Sequence, residues 1–142
     1  MNIEIERNPS KAEADLLSRG IKSFNEETVR DLEPAEEEKR FHVMARDDEG
    51  SLQGGIRATC YWNTLHIELL WISETARGSG IGRRLIQKAE AFARDNGCEN
   101  ALVETTSWQA RPFYEKNGYN HMATLSNRPK GHSSHYLKKV LI

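Results

Sequence analysis

Leu65-His-Ile-Glu-Leu-Leu-Trp-Ile-Ser-Glu-Thr-Ala-Arg-Gly-Ser-Gly-Ile-Gly82 is the stretch of sequence that decides the fold. Residues 65–72 are mostly apolar, and a short apolar run that ends at a turn signal is typical of a buried strand. Three glycines then fall within five residues, and Gly97 is suited to end the segment that follows them. In that segment the apolar residues recur at helical spacing: Ile81, Leu85, Ala89 and Phe92. The stretch therefore predicts a strand, a glycine-rich turn and a long helix.

The glycine-rich turn has the physical properties of a phosphate-binding site. The first turn of a helix has amide N–H groups without intrahelical partners, and the helix dipole adds partial positive charge there. Glycines let the backbone approach an anion closely. Arg77, Arg83 and Arg84 add positive charge around the turn. The alternative is a tight strand-to-helix turn that binds nothing, and the glycines alone do not decide between the two.

Two familiar glycine motifs do not fit this turn. A P-loop requires Gly-Lys-Ser/Thr, and neither Lys-Ser nor Lys-Thr follows these glycines, which argues against a nucleotide-binding protein. Gly78, Gly80 and Gly82 are spaced by two, unlike the dinucleotide fingerprint Gly-x-Gly-x-x-Gly. The pattern that does fit is Arg/Gln-x-x-Gly-x-Gly/Ala, beginning at Arg77. With the helix behind it, the segment 72–82 resembles the coenzyme A signature of the GNAT superfamily of N-acetyltransferases.

A second segment, residues 109–119, supports the same resemblance. Its sequence, Gln-Ala-Arg-Pro-Phe-Tyr-Glu-Lys-Asn-Gly-Tyr, is similar to the other GNAT signature, Ala-x-x-Phe-Tyr-Glu-Lys-x-Gly-Phe/Tyr. Many members place an asparagine shortly before the alanine, where this chain has Ser107, whose hydroxyl can also donate and accept a hydrogen bond. Because the two motifs occur in the right order, about one strand apart, the sequence is identified as a member of this superfamily.

The N-terminal third of the sequence predicts one strand and one clear helix. Ile3-Glu-Ile-Glu-Arg7 alternates apolar and charged residues, as a half-buried strand does. Ser10 is a suitable N-cap for an amphipathic helix, whose apolar positions are Ala14, Leu17, Ile21 and Phe24. Residues 25–39 are acidic and have weak periodicity, so they form either a short second helix or a loop.

The remaining elements complete an α/β pattern. Besides the central strand, strands are expected at residues 41–46, 51–62, 99–105, 119–125 and 135–142. Gly54-Gly55 indicates a bulge or a close backbone approach, and Thr106 or Ser107 can cap a short helix at 108–116. The mixed order of elements favours α/β with one central sheet. The resemblance implies antiparallel N-terminal strands and a splayed parallel pair, with helices flanking the sheet, in a single N-acetyltransferase domain over residues 1–142.

Composition is ordinary for a soluble globular domain, with 37% hydrophobic and 29% charged residues. The net charge of -1 argues against a nucleic-acid partner, and no apolar stretch or signal-peptide pattern suggests a membrane partner. Cys60 and Cys98 form neither a disulfide nor a zinc pattern, and His132-x-x-His135 lacks further metal ligands. We therefore expect a cytoplasmic protein that binds no metal.

The resemblance implies acetyl transfer from acetyl-CoA to a primary amine, by direct attack in a ternary complex. The amine must be neutral, so a base must take its proton, and a backbone N–H should stabilise the charge on the carbonyl oxygen. The leaving thiolate then needs a proton, for which Tyr114 is the candidate. A phenol with a pKa of about 10 is close to a thiol, so proton transfer is nearly balanced. The alternative is that Tyr114 is only a core aromatic.

The candidate bases lie on the central strand. Glu68 is the first choice and His66 the second, and because they are two residues apart they share one face of the strand. The same alternation places Leu70 on that face, and it places a further set on the opposite face: Ile67, Leu69 and Trp71. Glu104 is a third candidate. A polar pair at the sheet surface, or attack without a dedicated base, is the alternative.

The resemblance implies that the coenzyme is bound mostly by backbone groups. Residues 70–72 would pair with the pantetheine arm, and the amides of residues 78–83 would hold the pyrophosphate. Ser107 stands at the usual asparagine position. The predicted contacts are Leu70, Trp71, Ile72, Arg77, Gly78, Ser79, Gly80, Ile81, Gly82, Arg83 and Ser107. The acceptor is expected to be a small-molecule or peptide amine, and a homodimer is expected because family members often dimerise. A non-catalytic acyl-CoA-binding or regulatory module is the alternative.

Overall fold

The computed structural model describes all 142 residues, in two compact units, Met1–Glu37 and Glu38–Ile142. The first unit contains helix α1 (Lys11–Thr28) and a single 3-10 turn at Ala35–Glu37. Ser10 caps α1 as predicted, because its Oγ accepts a hydrogen bond from the Glu13 N–H at 3.2 Å. The acidic region therefore contains no regular second helix.

The predicted strand at residues 3–7 is wrong. These residues form no strand, and Ile3 and Ile5 are exposed. An alternating pattern indicates which face a strand would bury, but a strand also needs a neighbour that satisfies its backbone N–H and C=O groups. The pattern was present here without that neighbour.

The second unit is a six-stranded mixed sheet with two helices. The strands lie in the order β1-β2-β3-β4-β6-β5, and β3 and β4 are the only parallel neighbours. This confirms the predicted mixed α/β sheet. The element bounds are β1 (Lys39–Arg46), β2 (Leu52–Tyr61), β3 (Thr64–Ile72), α2 (Ile81–Asp95), β4 (Asn100–Thr106), α3 (Arg111–Lys116), β5 (Asn120–Ser126) and β6 (Ser133–Val140).

Strand β3 contains a β-bulge at Glu68. In the pairing with β2, Arg57 lies opposite Leu69 and Ala58 lies opposite Ile67, so Glu68 is one residue more than β2 can match. A bulge bends its strand and resets the alternation of side chains. The bulge residue is also one of the predicted bases, so it determines where that carboxylate lies.

The bulge corrects the predicted faces of β3. Leu70 and Ile72 pack against the core, whereas Leu69 and Trp71 are exposed, Trp71 to 51%. Leu70 therefore does not share a face with Glu68, as simple alternation predicted. All of these residues are apolar, so their character alone did not reveal which face of β3 each would occupy.

The parallel pair separates at the same point. β3 and β4 are paired from Thr64 opposite Asn100 to Ile67 opposite Val103, and no pairing follows. β4 itself continues to Thr106, where it is still paired with β6. From the bulge onward, one edge of β3 therefore has no neighbouring strand.

Helices α2 and α3 each end at a glycine with positive φ. Gly97 follows α2 with φ of +81°, and Gly118 follows α3 with φ of +91°. At the end of α2 the Cys98 N–H donates to the Ala93 carbonyl at 2.9 Å, and the Gly97 N–H donates to the Arg94 carbonyl at 3.0 Å. This Schellman arrangement satisfies the last carbonyls of the helix and confirms the predicted end at Gly97.

Helix α3 is shorter than predicted. It begins at Arg111, and its cap position, Ala110, has no side-chain cap. The predicted cap at Thr106 or Ser107 is wrong, because the chain first makes a turn in which the Gln109 N–H donates to the Thr106 carbonyl. The Ala110 N–H is instead satisfied by the Thr105 Oγ1 at 3.1 Å.

The core lies between the sheet and the two helices of the second unit. α2 contributes Leu85, Ile86, Ala89 and Ala93, and α3 contributes Tyr114. Phe92, which the periodicity places among the apolar positions, stacks at the edge of this core on Phe41, with ring centroids 4.2 Å apart. None of the helices combines the length and the apolar character needed to cross a membrane.

Gly54 provides the close backbone approach that the sequence indicated, and it generates a stability prediction. A Cβ at Gly54 would lie 2.8 Å from the Trp71 carbonyl oxygen, so Gly54→Ala should force β2 and β3 apart. We expect a loss of about 1–3 kcal/mol in the free energy of unfolding, measured by denaturant titration. In the control, Gly20→Ala, the new methyl group meets open space in the middle of α1 and should increase helicity. Equal stability of Gly54→Ala and the wild type would contradict the close approach.

Candidate active site

The glycine turn leaves the first amides of α2 free of side-chain caps. Gly78 and Gly80 have φ of +77° and +81°, which is the left-handed region that favours glycine. Gly80 is the N-cap of α2, and no side chain caps the helix. The N–H groups of Ile81 to Arg83 therefore lie at the positive end of the helix dipole, available to an anion.

Two side chains of the turn hold it in shape. The Arg77 Nε donates to the Ile72 carbonyl at 3.3 Å, and the Ser79 hydroxyl donates to the Ala76 carbonyl. Both contacts lie within the turn, so the side chains of these predicted coenzyme contacts support the loop. The predicted coenzyme contacts of these residues are made by backbone groups, which these side-chain hydrogen bonds do not occupy.

A cavity of about 430 Å³ lies beside this turn. Its wall includes two cationic side chains that have no ion pair, Arg83 and Lys116. The remaining lining residues are Ile72, Ala76, Gly78, Gly80, Ile81, Gly82, Phe113 and Asn117. Lys116 was not among the predicted coenzyme contacts. Its spacing of three residues from Phe113, on one face of a helix, was the signal that could have found it.

Gly82 sits where three elements meet. A Cβ at this position would lie 3.0 Å from the Ile72 Cδ1 on β3 and 3.0 Å from two ring carbons of Phe113 on α3. The absent side chain therefore lets the start of α2 pack directly against both neighbours. The glycine turn, the free edge of β3 and α3 are brought together at this point.

The free edge of β3 begins at the bulge and includes Leu70, Trp71 and Ile72. On the other edge these residues pair with Ile56, Gly55 and Gly54 of β2. In a strand, backbone groups alternate between the two edges, so part of this segment directs N–H and C=O groups toward the separated β4. An extended ligand can pair with such an edge as an added strand does.

Tyr114 is buried in the core beside this junction. Only 4% of the residue is exposed, and its ring packs edge-to-face against Phe113 and Tyr119, with centroid distances of 5.2 Å and 5.7 Å. Its hydroxyl donates no hydrogen bond to another residue. Burial disfavours the charged phenolate and raises the pKa of Tyr114 to about 12. The premise that this pKa matches that of a thiol is therefore not met.

The two candidate bases share the exposed face of β3, as predicted. Glu68 forms an ion pair with Arg57, with 2.7 Å between Oε2 and Nε. His66 makes no hydrogen bond to another side chain. No sequence pattern pointed to Arg57, because its approach to Glu68 depends on the register across the bulge. The structure therefore brings together the two predicted bases and adds a cation to the first.

Two other candidates are engaged elsewhere. Glu104 accepts hydrogen bonds from the Arg128 Nε at 3.0 Å and from the Tyr136 hydroxyl at 3.2 Å. Ser107 lies against the loop that precedes β6, where its hydroxyl accepts from the Ser133 N–H at 3.4 Å and lies 3.4 Å from the His132 Nδ1. No group of three or more His, Cys, Asp or Glu side chains is arranged to hold a metal ion.

Fold and site together define an α/β acetyltransferase, and the comparisons with known proteins agree. Residues 10–119 match the acetyltransferase (GNAT) family, so the chain belongs to that family. This confirms the resemblance drawn from the two sequence motifs and the predicted enzyme class.

Three similar proteins are acetyltransferases. Blasticidin-S acetyltransferase of Streptomyces morookaense is 38% identical over 128 residues, which cover 89% of this chain and 92% of the relative. An acetyltransferase of Agrobacterium fabrum is 30% identical over 124 residues, with 87% and 84% of the two chains covered. The crystal structure of an acetyltransferase from Bacillus cereus superposes with a TM-score of 0.85 at 29% identity, covering 96% and 97%.

Because Tyr114 is buried, we expect its phenol to lose its proton at a higher pH than a free tyrosine does. Phenolate absorbance should rise with pH, and the difference between wild type and Tyr114→Phe should show one tyrosine with a midpoint at about pH 12. The phenol of a free tyrosine titrates at about pH 10. Because the neutral form is favoured in the folded state, this stabilising effect is present below pH 10 and is lost as pH rises toward 12. Tyr61→Phe is the control, and a difference midpoint near 10 for Tyr114 would contradict the burial argument.

Proposed function

We propose that this chain transfers the acetyl group of acetyl-CoA to a primary amine of a small molecule, by direct attack in a ternary complex. The carrying observation is the separation of β3 from β4 after Ile67, with the glycine turn at the end of the free edge. The small-molecule acceptor is supported by the 38% identity to a protein named for blasticidin-S acetylation, over nearly the whole of both chains. Blasticidin S is therefore the first acceptor to test.

The residues of the site fit acetyl-CoA, which supplies the activated thioester. The free edge from Leu70 to Ile72 would pair with the amides of the pantetheine arm, as an added strand does. The amides of the glycine turn up to Arg83 would hold the pyrophosphate at the start of α2. Arg83 and Lys116 are free of ion pairs and would offset the charge of the phosphates.

Tyr114 is the proposed donor to the leaving sulfur. Its raised pKa of about 12 keeps the phenol protonated at physiological pH, and its hydroxyl has no competing partner in the protein. A thiol with a pKa of about 8.5 is a stronger acid than this phenol, so full proton transfer to the thiolate is uphill. The phenol therefore acts as a hydrogen-bond donor that stabilises the leaving thiolate, and solvent supplies the final proton.

Glu68 is the proposed base, with His66 as the alternative on the same face. The ion pair with Arg57 holds one carboxylate oxygen of Glu68. Its other oxygen has no partner in the protein and can accept the proton of the amine directly or through water. The bulge places this carboxylate where the free edge of β3 begins, so acceptor and thioester would meet at one end of the edge.

The first experiment measures coenzyme A release from acetyl-CoA over a panel of amines that includes blasticidin S. We expect turnover on one class of small amine, with kcat reduced about a hundredfold in Tyr114→Phe because the hydrogen bond to the leaving sulfur is lost. Tyr61→Phe is the matched control and should keep the wild-type rate. Unchanged turnover in Tyr114→Phe would remove this residue from the reaction.

The same panel separates the enzyme from the binding module. Acetyl-CoA that binds tightly but acetylates no amine would favour the non-catalytic alternative. Absence of acetyl-CoA binding would contradict the assignment of the glycine turn itself.

A second variant tests the turn. Gly80→Ala places a side chain at φ of +81°, which costs about 1–2 kcal/mol and moves the free amides of α2. We expect the KM for acetyl-CoA to rise about tenfold, since 1.4 kcal/mol corresponds to a factor of ten in affinity. Gly50→Ala imposes the same strain at φ of +86° in the β1–β2 hairpin and is the control. Equal KM values for the two variants would refute pyrophosphate binding at the turn.

A further inference from the structure

We propose that the ion pair between the buried Glu90 and the half-buried Lys139 is a positioning device that sets the place of Tyr114 relative to the glycine turn. Glu90 lies on α2 and Lys139 on β6, and neither was singled out by the sequence motifs. The inference rests on the proposed role of Tyr114 in acetyl transfer. It assigns to the pair an effect on the rate of the reaction as well as on stability.

The pair forms a closed network with Tyr119. The Lys139 Nζ lies 2.9 Å and 3.1 Å from the two carboxylate oxygens of Glu90. The Tyr119 hydroxyl donates to the Glu90 Oε2 at 2.9 Å, so the carboxylate has partners on both oxygens. The Lys139 Nζ donates a further hydrogen bond, at 2.9 Å, to the carbonyl of Asn117.

A charge in this core needs an explanation other than stability. Glu90 is 3% exposed and is the only charged residue of the chain that is fully buried. Removing a carboxylate from water costs several kcal/mol, whereas the Lys139 side chain keeps 23% of its exposure and loses less hydration. Apolar replacements of such a pair are often equally stable. What an ion pair provides in addition is direction, because its hydrogen bonds fix the relative placement of the elements that carry them.

The elements that the pair fixes include the short helix of Tyr114. α3 has six residues and no side-chain cap at its start, so its own hydrogen bonds anchor it weakly. At its end the Asn117 carbonyl is held by Lys139, a cation at the negative end of the helix. A Cβ at Gly118 would lie 3.2 Å from the Lys139 Cε, so this turn also passes close to the lysine.

Tyr114 is joined to the network through Tyr119. The Tyr119 N–H donates to the Tyr114 carbonyl at 3.0 Å, and the two rings pack edge-to-face with centroids 5.7 Å apart. The hydroxyl of Tyr119 is in turn held by Glu90. Both the backbone and the ring of Tyr114 therefore contact Tyr119, whose position the ion pair helps to determine.

The ion pair is also connected to the glycine turn, through helix α2. Glu90 and the free amides at Ile81 to Arg83 belong to one continuous helix, α2. A helix rises 1.5 Å per residue, so roughly 14 Å of rigid backbone connects Glu90 to the start of α2. Through this helix, the pair fixes where Tyr114 lies relative to the place proposed for the coenzyme phosphates.

The test compares Lys139→Met with Lys138→Met, an exposed lysine one position away on β6. A small displacement of a group at the reacting atoms can cost up to about a hundredfold, so we expect kcat to fall about tenfold in Lys139→Met. The KM for acetyl-CoA should stay within about twofold, because the glycine turn is intact. Lys138→Met should keep the wild-type kcat, and Lys139→Arg should restore most of the loss. An unchanged kcat in Lys139→Met would overturn the proposal.

A double-mutant cycle isolates the path through Tyr114. If the pair acts by placing this phenol, Lys139→Met should have no further effect on kcat in a Tyr114→Phe background. Additive losses would mean that the pair acts on the reaction by some other path, and they would overturn the proposal.

Lys139→Met leaves an unpaired buried carboxylate, so it is the variant expected to lose the most stability. The double variant Glu90→Gln/Lys139→Met removes both charges and keeps a group that can accept from Tyr119. We expect it to recover thermal stability while kcat stays about tenfold low, because the Asn117 carbonyl has lost its anchor. Recovery of kcat together with stability would show that the pair is only structural, against the proposal.

A spectroscopic readout separates this inference from the proposed function. In isotope-labelled protein, the tyrosine resonance that disappears in Tyr114→Phe reports the surroundings of its ring. We expect that resonance to shift in the neutral double variant and to stay unchanged in Lys138→Met, whether or not any amine is acetylated. A shift without turnover would keep the positioning device and remove the enzyme proposal. An unmoved resonance would overturn the device even if acetyl transfer is found.

Discussion

The extra residue in β3 is the constraint on which the rest of the site depends. Glu68 has no counterpart in β2, and the pairing of β3 with β4 ends one residue earlier, at Ile67. A sheet ordinarily satisfies both edges of an inner strand. Here one edge of an inner strand is released only over its last residues, which lead directly into the glycine turn. One continuous segment thus contains both the unpaired strand edge and the helix N-terminus on which the proposed acetyl-CoA site rests.

Features that depend on neighbouring residues could be predicted from the sequence, and features that depend on distant ones could not. Ser10 and Gly97 act within a few residues, and both occupy the predicted helix ends. The strand at residues 3–7 failed because its pattern says nothing about a pairing partner. The face of Leu70 failed for a related reason, since a bulge is a property of two strands in register and leaves no mark in one of them.

The same division holds in the candidate site. The two motifs led to the family and to Tyr114, because their residues are close together in the chain and match a known pattern. The environment of Tyr114 could not be read in this way. Its burial beside Phe113 and Tyr119 raises its pKa to about 12, and this changes the role proposed for it from balanced proton transfer to hydrogen-bond donation. The partner of Glu68 was missed because Arg57 reaches it from another strand.

Two glutamates show how burial divides roles between similar ion pairs. Glu68 is paired with Arg57 on the open face, where an ion pair contributes at most about 1 kcal/mol and is screened by solvent. Loss of that ion pair would therefore cost the fold little, which is compatible with the proposed role of Glu68 as the base. Glu90 is buried and is paired with the half-buried Lys139, so breaking this pair would leave a carboxylate uncompensated in the core. The rigidity of that pair suits Glu90 to the proposed role of holding other groups in place.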